Sequence, residues 1–251
     1  MAQTDTLTIE FIGCGDAFGS GGRFNTCFHV TGEGVGFLID CGASSLIALK
    51  RSQVDLNAID TILATHFHAD HFAGLPFFML DAQFFSKRTT ALTVAGPVGV
   101  EEHYRRLSEA MFPGSSATVA RFPLRFVELK PGANRELGRL NVEAFEVNHG
   151  HEGGPFLGYR VEVSGRTIAY TGDTEWTDRL IEFGSGADLL IAEAYFFDKK
   201  VPLHLDYVTL SENLGRMNPR QVVVTHMSAD MLDRDIPPPI QLAHDGLQMT
   251  V

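Results

Sequence analysis

The sequence predicts an α/β fold that carries its chemistry at the carboxyl ends of β-strands. Residues 59–64 are aliphatic and β-branched, as in a short buried strand. Three histidines and one aspartate follow within residues 66–71, and an apolar segment, residues 77–85, comes next. A second aliphatic segment, residues 222–225, also ends in a histidine, His226. Strand, polar loop and helix in this order place functional groups at strand ends in α/β proteins.

The first half of the chain predicts five strands and three helices. The strands are rich in aliphatic and β-branched residues, and the helices are longer segments that follow them. The predicted strands are residues 7–14, 26–30, 37–40, 59–64 and 92–95, and the predicted helices are 44–51, 77–85 and 98–111. We expect four phenylalanines of the second helix to pack in the core: Phe77, Phe78, Phe84 and Phe85.

A glycine-rich loop, residues 13–22, separates the first two predicted strands. It lacks the Lys-Ser/Thr pair of a phosphate-binding P-loop, and its glycine spacing differs from that of a dinucleotide fold. We interpret it as a loop that passes close to the functional site. Asp16, Arg23 and Asn25 are candidates for substrate contact. Core packing is the expected role of Phe18, and an apolar wall for the substrate is the alternative.

The second half predicts mainly strands and one helix. Residues 124–129, 140–147, 159–163 and 166–170 resemble successive antiparallel strands, with a tight turn at Ser164-Gly165. Further strands are predicted at 189–192 and 221–225, a helix at 207–216, and an edge strand at 247–251. Because no linker or low-complexity segment divides the chain, we expect residues 1–251 to form a single domain.

The overall composition predicts a cytoplasmic globular protein. The chain contains no apolar run of 18 residues, so no membrane span is expected, and its amino terminus lacks the pattern of a signal peptide. The three cysteines, Cys14, Cys27 and Cys41, are odd in number and irregularly spaced, which is typical of reduced thiols in the cytoplasm. The formal net charge of −11 is unfavourable for clamping a long nucleic acid, so no such partner is expected.

The cluster at residues 66–71 has the composition of a catalytic metal site. His66 and His68 are two residues apart, so an extended turn can direct both at one ion, whereas Asp70 and His71 can face a second ion. Structural zinc sites are closed by four Cys or His ligands, while a Cys-free His/Asp cluster favours an open, water-binding site. The alternative is a solvated histidine-rich turn.

His66-Phe67-His68-Ala69-Asp70-His71 resembles the HxHxDH motif of the metallo-β-lactamase-fold hydrolases. Further segments are similar to that superfamily and occur in its order: the amino-terminal strand with its glycine-rich loop, residues 37–42 ("LIDCG"), residues 170–174 ("TGDT") and residues 222–226. The resemblance covers essentially the whole chain. It implies a four-layer αββα sandwich, in which two mixed β-sheets are flanked by helices.

The resemblance also implies two divalent metal ions, with Zn as the expected metal and Mn or Fe as alternatives. The family's third motif is a lone histidine after a strand. We prefer His149 because it follows the strand at once, and His151 remains the alternative. One metal would then be held by His66, His68 and His149, the other by Asp70, His71 and His226, with Asp173 bridging them. A hydroxide between the metals would be the nucleophile.

Two features resemble the ribonuclease Z and phosphodiesterase branch of the superfamily. The segment Ile191-Ala192-Glu193-Ala194 precedes His204, and Gly158-Tyr159-Arg160 is similar to that branch's "GYR" strand. The resemblance implies that His204 protonates the leaving oxygen and that Glu193 orients its ring. Asp70, besides binding metal, is expected to orient the hydroxide. The alternative roles are a strand cap for Glu193 and an ordinary surface position for His204.

We therefore expect a binuclear metal-dependent hydrolase that acts on small phosphodiesters, with cyclic nucleotides among the candidates. The chain shows no insertion like the arm with which ribonuclease Z grips transfer RNA, so transfer RNA processing is not expected. The partner would be a small anionic ester, with no long nucleic acid and no membrane, and a homodimer is one expectation. The alternatives are an arylsulfatase-like or lactone hydrolase, a di-iron oxidoreductase, and a non-catalytic metal-binding paralogue.

Overall fold

Two seven-stranded β-sheets form the centre of the protein in its computed structural model, which describes residues 6–150 and 154–251. In chain order, the strands of the described residues are β1 (Thr8–Gly13), β2 (Cys27–Gly32), β3 (Val35–Ile39), β4 (Thr61–Leu63), β5 (Leu92–Pro97), β6 (Leu124–Leu129), β7 (Asn134–Leu137), β8 (Leu140–Glu146), β9 (Leu157–Val163), β10 (Arg166–Tyr170), β11 (Leu189–Glu193), β12 (Val222–Thr225), β13 (Ile240–Leu242) and β14 (Leu247–Thr250). The α-helices of the same residues are α1 (Ser45–Arg51), α2 (Ala69–Phe72), α3 (Leu75–Leu80), α4 (Val100–Met111), α5 (Arg179–Gly184), α6 (Tyr207–Met217) and α7 (Ala229–Leu232).

The two sheets share one pairing pattern. The first has the order β14-β1-β2-β3-β4-β5-β6, and the second has the order β7-β8-β9-β10-β11-β12-β13. In each, the first three pairings along this order are antiparallel and the last three are parallel. The chain thus contains two halves of similar topology.

Three hydrophobic clusters bind four layers together. The largest lies between the sheets and contains residues of both, such as Phe28 and Tyr170, whose ring centroids are 5.0 Å apart. A second cluster joins the first sheet to α1, α3 and α4, and a third joins the second sheet to α5, α6 and α7. The expected αββα sandwich with two mixed sheets is therefore confirmed.

Strand β11 shows how the sequence determines the layers. All five of its residues are buried. Leu189 and Ile191 belong to the cluster between the sheets, whereas Leu190 and Ala192 belong to the cluster under the helices. Because successive side chains point to opposite faces, a strand covered on both faces is a continuous apolar run.

Some predictions of local structure were wrong. Residues 124–129 form a strand, but it pairs parallel to β5 in the first sheet and is not the first of an antiparallel series. Short elements were missed, namely β7, β13, α2, α5 and α7, because three- to six-residue segments give little periodicity. Ser164 and Gly165 have φ of 50° and 73°, which fits the predicted tight turn between β9 and β10.

The aromatic helix is only half buried. Phe78 is fully buried, as expected, whereas Phe77, Phe84 and Phe85 are 37%, 55% and 76% exposed. Helix α3 ends at Leu80 and continues as a wider turn over Asp81–Phe85, which rotates the last two rings away from the sheet. Lys50 and Arg121 lie over the rings of Phe85 and Phe84.

Candidate metal centre and active site

The histidines and carboxylates predicted to bind metal meet at the carboxyl ends of the strands. His66 and His68 follow β4, while Asp70 and His71 lie in the first turn of α2. The second half supplies the other three, which follow β8, β10 and β12: His149, Asp173 and His226. The carboxyl edges of both sheets therefore meet at one place, and each half of the chain contributes to the same site.

The first group of candidate ligands consists of His66, His68 and His149. One ring nitrogen of each lies within 4.8 Å of the others, and His149 Nε2 is 3.1 Å from His68 Nδ1. His66 and His149 are buried, whereas His68 is exposed. Three imidazoles that converge beside an exposed edge could hold a cation that remains accessible to a substrate.

The second group consists of Asp70, His71, Asp173 and His226, all of them buried. His226 Nε2 lies 3.1 Å from Asp70 Oδ2 and 3.3 Å from Asp173 Oδ2, and His71 Nε2 lies 3.3 Å from the same Asp173 oxygen. Mixed imidazole and carboxylate ligands suit Zn, Mn or Fe. This group could hold a second divalent cation.

Asp173 lies between the two groups. Its Oδ2 is 3.6 Å from His149 Nε2 in the first group, in addition to its contacts with His71 and His226 in the second. A carboxylate in this position could reach a cation in either group.

Burial favours the neutral form of the three histidines in the first group. Burial lowers the pKa of His66 well below its usual value and that of His149 to about 4, and it also lowers the pKa of His68. All three rings are then neutral near pH 7, which is the form that donates a lone pair to a metal.

The second group is a network of charges. Burial opposes charge on His226, but the carboxylates of Asp173 and Asp70 outweigh it and raise the pKa of that ring to about 9. The pKa of His71 is raised well above its usual value for the same reason, and those of Asp70 and Asp173 are held well below theirs by the neighbouring imidazoles. Without a cation, protonated rings therefore compensate the buried carboxylates.

Several buried atoms at the site fit a cation. His66 Nε2, His71 Nε2 and Asp173 Oδ1 have no hydrogen-bond partner among the described residues. Buried polar atoms normally have one, and a divalent cation would satisfy these lone pairs together. The donor set therefore fits the metal pair that the sequence resemblance implies.

His204 and Glu193 lie beside both groups. Glu193, the last residue of β11, is fully buried, and its Oε2 is 3.0 Å from His204 Nδ1. The ring of His204 lies 4.9 Å from that of His149 and 5.7 Å from that of His226. Burial lowers the pKa of His204, but the hydrogen bond and charge of Glu193 reverse this and raise it, so the ring is prepared to donate a proton.

Asp40 was missed as a functional residue. It follows β3, is fully buried, and its carboxylate accepts from the Thr65 amide at 2.7 Å and from His71 Nδ1 at 2.8 Å. Such an acceptor fixes the tautomer of a ligand histidine and directs its other nitrogen at the metal. The signal was available, since an aspartate that follows a buried aliphatic strand needs donors.

The glycine-rich loop lies next to the site, but its polar residues hold the loop itself. The carboxylate of Asp16 is buried and accepts from Phe18 N, Ser20 N and Ser20 Oγ. Asn25 donates to the Asp16 carbonyl and accepts from Ser44, and Arg23 contacts Cys14 Sγ. The core role expected for Phe18 is wrong, because 81% of this side chain is exposed.

Residues 36–227 match the model of the family described as "Beta-lactamase superfamily domain". The chain belongs to this superfamily. Ribonuclease Z of Methanosarcina acetivorans is 25% identical over 286 residues, covering 92% of this chain and 90% of that protein. The crystal structure of the short form of human tRNase Z has a TM-score of 0.77 at 25% identity, covering 96% and 98%. The metallo-β-lactamase-fold protein YhfI of Bacillus subtilis shares the fold, with a TM-score of 0.77 at 18% identity over 98% and 100%.

These matches establish the protein as a metallo-β-lactamase-fold hydrolase with relatives named ribonuclease Z. They overturn the expectation that long nucleic acids are excluded as partners, because the relatives are named for cleaving RNA. That expectation used the net charge of −11, a sum over the whole chain. The sum says little about the local field at a site that holds divalent cations.

The alternative third-motif ligand, His151, lies outside the described residues. No helix among the described residues is long and apolar enough to cross a membrane.

Proposed function

We propose that the protein hydrolyses phosphodiesters at a pair of divalent cations, Zn in the first instance. The first cation is assigned to His66, His68 and His149, the second to Asp70, His71 and His226, with Asp173 shared. The convergence of these donors and the unpartnered buried atoms among them support the assignment. When bound, the cations would supply Lewis acidity to the phosphoryl oxygens and lower the pKa of a water toward 7.

The position of the Glu193–His204 pair, together with the similarity to ribonuclease Z, supports the choice of phosphodiesters. His204 lies beside one ligand histidine of each group, and its Nδ1 is occupied by Glu193. Its Nε2 is therefore the atom that can give a proton to a departing alkoxide. A diester with an alkyl leaving group needs such an acid, because the alkoxide is a poor leaving group at neutral pH.

The other residues act by orientation. Asp40 holds His71 through Nδ1, and the Leu203 carbonyl holds His149 through Nδ1, so each ring presents Nε2 to the site. Asp70 holds His226 Nε2 and is close enough to the site to direct an attacking water.

We propose small phosphodiesters, cyclic nucleotides among them, as substrates. RNA is the second candidate. It is supported by the similarity to ribonuclease Z over nine-tenths of the chain. The two candidates need the same chemistry at phosphorus and differ only in how the rest of the substrate is held.

The test compares several substrates on protein loaded separately with Zn and Mn: bis-p-nitrophenyl phosphate, 2′,3′-cyclic AMP, a 3′-extended transfer RNA, p-nitrophenyl sulfate and a homoserine lactone. Turnover of the phosphodiesters above the sulfate and the lactone is expected. His66→Ala and Asp173→Ala should abolish turnover together with metal loading. Dominant sulfate or lactone cleavage would refute the phosphodiester assignment, and full turnover by metal-depleted protein would refute the metal assignment.

A further inference from the structure

A closed ring of hydrogen bonds joins a ligand of the first group to the segment that carries His204. Glu175 accepts from the side-chain amide of Asn148 through Oε1 and from the Leu203 amide through Oε2, the latter at 3.2 Å. The Leu203 carbonyl accepts from His149 Nδ1 at 2.8 Å. Since Asn148 precedes His149 in the chain, the ring closes through a covalent bond.

Leu203 is held in an unusual backbone conformation by this ring. Its φ is 72°, a region that side-chain-bearing residues rarely adopt and that persists only where the surroundings enforce it. Its amide hydrogen is directed at Glu175 and its carbonyl at His149, so the two contacts fix the peptide plane on either side of this residue. The next residue is His204. Glu175 therefore determines the direction in which the backbone enters His204.

Thr174, the residue before Glu175, contacts the carboxylate of Glu193, which in turn holds His204. Thr174 donates its amide hydrogen to Glu193, the carboxylate that holds His204, and its Oγ1 accepts from the Asn148 amide at 3.1 Å. The backbone of Glu175 adds a third link, because its amide donates to the Asn148 carbonyl at 2.9 Å. One dipeptide thus contacts both segments that meet at the first metal position.

We propose that Glu175 is a positioning residue that holds the ligand His149 and the proton donor His204 in register through Leu203 and Asn148. This inference rests on the proposed function, because it assigns a metal to His149 and a proton transfer to His204. Glu175 itself touches neither the substrate nor a cation. Its effect arises because both of its partners are donors, and the carboxylate offers each of them a separate acceptor oxygen.

Glu175→Gln tests the ring with almost no change of shape. The amide offers one acceptor and one donor, so one of the two partners then faces a donor and that contact is lost. We expect the affinity of the first group for Co²⁺ to fall about 10-fold, the low end of the roughly 10- to 100-fold cost of losing a direct partner of a ligand histidine, because Glu175 acts on His149 only through Leu203. Hydrolysis of an alkyl phosphodiester should slow more than hydrolysis of bis-p-nitrophenyl phosphate, because His204 is displaced from the leaving oxygen.

Cation binding is followed by the visible spectrum of Co²⁺ added to metal-depleted protein, with His226→Ala as the reference in which the second group is incomplete. Glu182→Gln is the matched control, since Glu182 is exposed on α5. It should leave both Co²⁺ affinities and the leaving-group dependence unchanged. Thermal unfolding of the metal-depleted variants shows whether each of them is folded.

A folded Glu175→Gln protein with unchanged Co²⁺ affinity at the first group and unchanged leaving-group dependence would overturn the inference. A lower melting temperature alone would also overturn it, because that is the signature of a purely structural residue. If Glu175→Gln does not fold, Asn148→Ala removes one contact of the ring and must show a weaker effect in the same direction. If the unaltered protein binds no Co²⁺, the proposed function fails and this inference fails with it.

Discussion

The charge network of the second ligand group predicts that the metal-depleted protein loses stability at alkaline pH. The pKa of His226 is about 9 in the folded protein, compared with about 6.5 in an unfolded chain. A ring whose pKa is raised by folding contributes stability below pH 6.5 and loses it as the pH rises through 9. At 1.36 kcal/mol per unit, a shift of about 2.5 units corresponds to about 3 kcal/mol.

Asp70→Asn separates the contribution of His226 to stability from the contributions of other groups that titrate at high pH. The Asp70 carboxylate lies 3.1 Å from His226 Nε2, and a hydrogen bond to a charged group contributes about 1.5–3 kcal/mol. The substitution should therefore lower the pKa of His226 by about 1–2 units. The free energy of unfolding that the protein loses at alkaline pH should become smaller by about 1.5–3 kcal/mol.

The assay is urea unfolding in the presence of a chelator at pH 6 and pH 10, with the pKa of His226 followed by ¹⁵N NMR of the imidazole. We expect the unaltered protein to lose about 3 kcal/mol more than a His226→Gln protein between these values. A midpoint for His226 at or below 6.5 would refute the reasoning. So would an equal alkaline loss in the unaltered and Asp70→Asn proteins.

Three further predictions concern single side chains. Asp40→Asn should weaken cation binding at the second group about 10- to 100-fold, measured by competition with a chelator, because His71 loses the acceptor at its Nδ1. Tyr159→Phe should cost about 1–3 kcal/mol in urea unfolding, because the buried hydroxyl donates to a strand-end carbonyl at 2.6 Å. His149→Ala should lose one metal equivalent by elemental analysis, whereas His151→Ala should retain both.

Each of these predictions has a matched comparison. Tyr170 pairs with Tyr159 across β9 and β10, and its buried hydroxyl has no partner among the described residues, so Tyr170→Phe should cost little. Equal costs for the two tyrosines would contradict the hydrogen-bond argument. An Asp40→Asn protein that binds both cations normally would remove the orienting role of Asp40. Loss of a metal in His151→Ala, with both retained in His149→Ala, would reverse the third-motif assignment.

The candidate ligands could be predicted from sequence because several of them follow apolar strands and all of them match motifs of the metallo-β-lactamase-fold hydrolases. His66 and His226 illustrate this, since both follow fully buried strands that end at the same edge of their sheets. The expectation for the whole fold came from the resemblance of these segments, in their order along the chain, to the metallo-β-lactamase-fold hydrolases. The pairing of Glu193 with His204 was implied by the resemblance to the ribonuclease Z and phosphodiesterase branch, and the structure shows the hydrogen bond between them.

What remained hidden depends on tertiary contacts. No local pattern marks Leu203 as a residue of positive φ, because the ring that enforces it closes across 54 residues of sequence to His149. The exposure of Phe84 and Phe85 was missed because a periodicity argument assumes that a helix continues with regular geometry. The parallel pairing of residues 124–129 was missed because strand direction depends on the partner, which a single segment does not reveal.

The division of the ligands between the two halves has a consequence for the packing between the sheets. Each group takes at least one residue from either side of the interface, as His66 and His149 do in the first group and His71 and His226 in the second. A small slide of one sheet over the other would change donor distances in both groups at once. Volume changes deep in the interface, at Phe28 for example, would therefore alter both cation affinities together although no ligand is touched. The shared interior of the sandwich thus sets the distance between the two groups of candidate ligands.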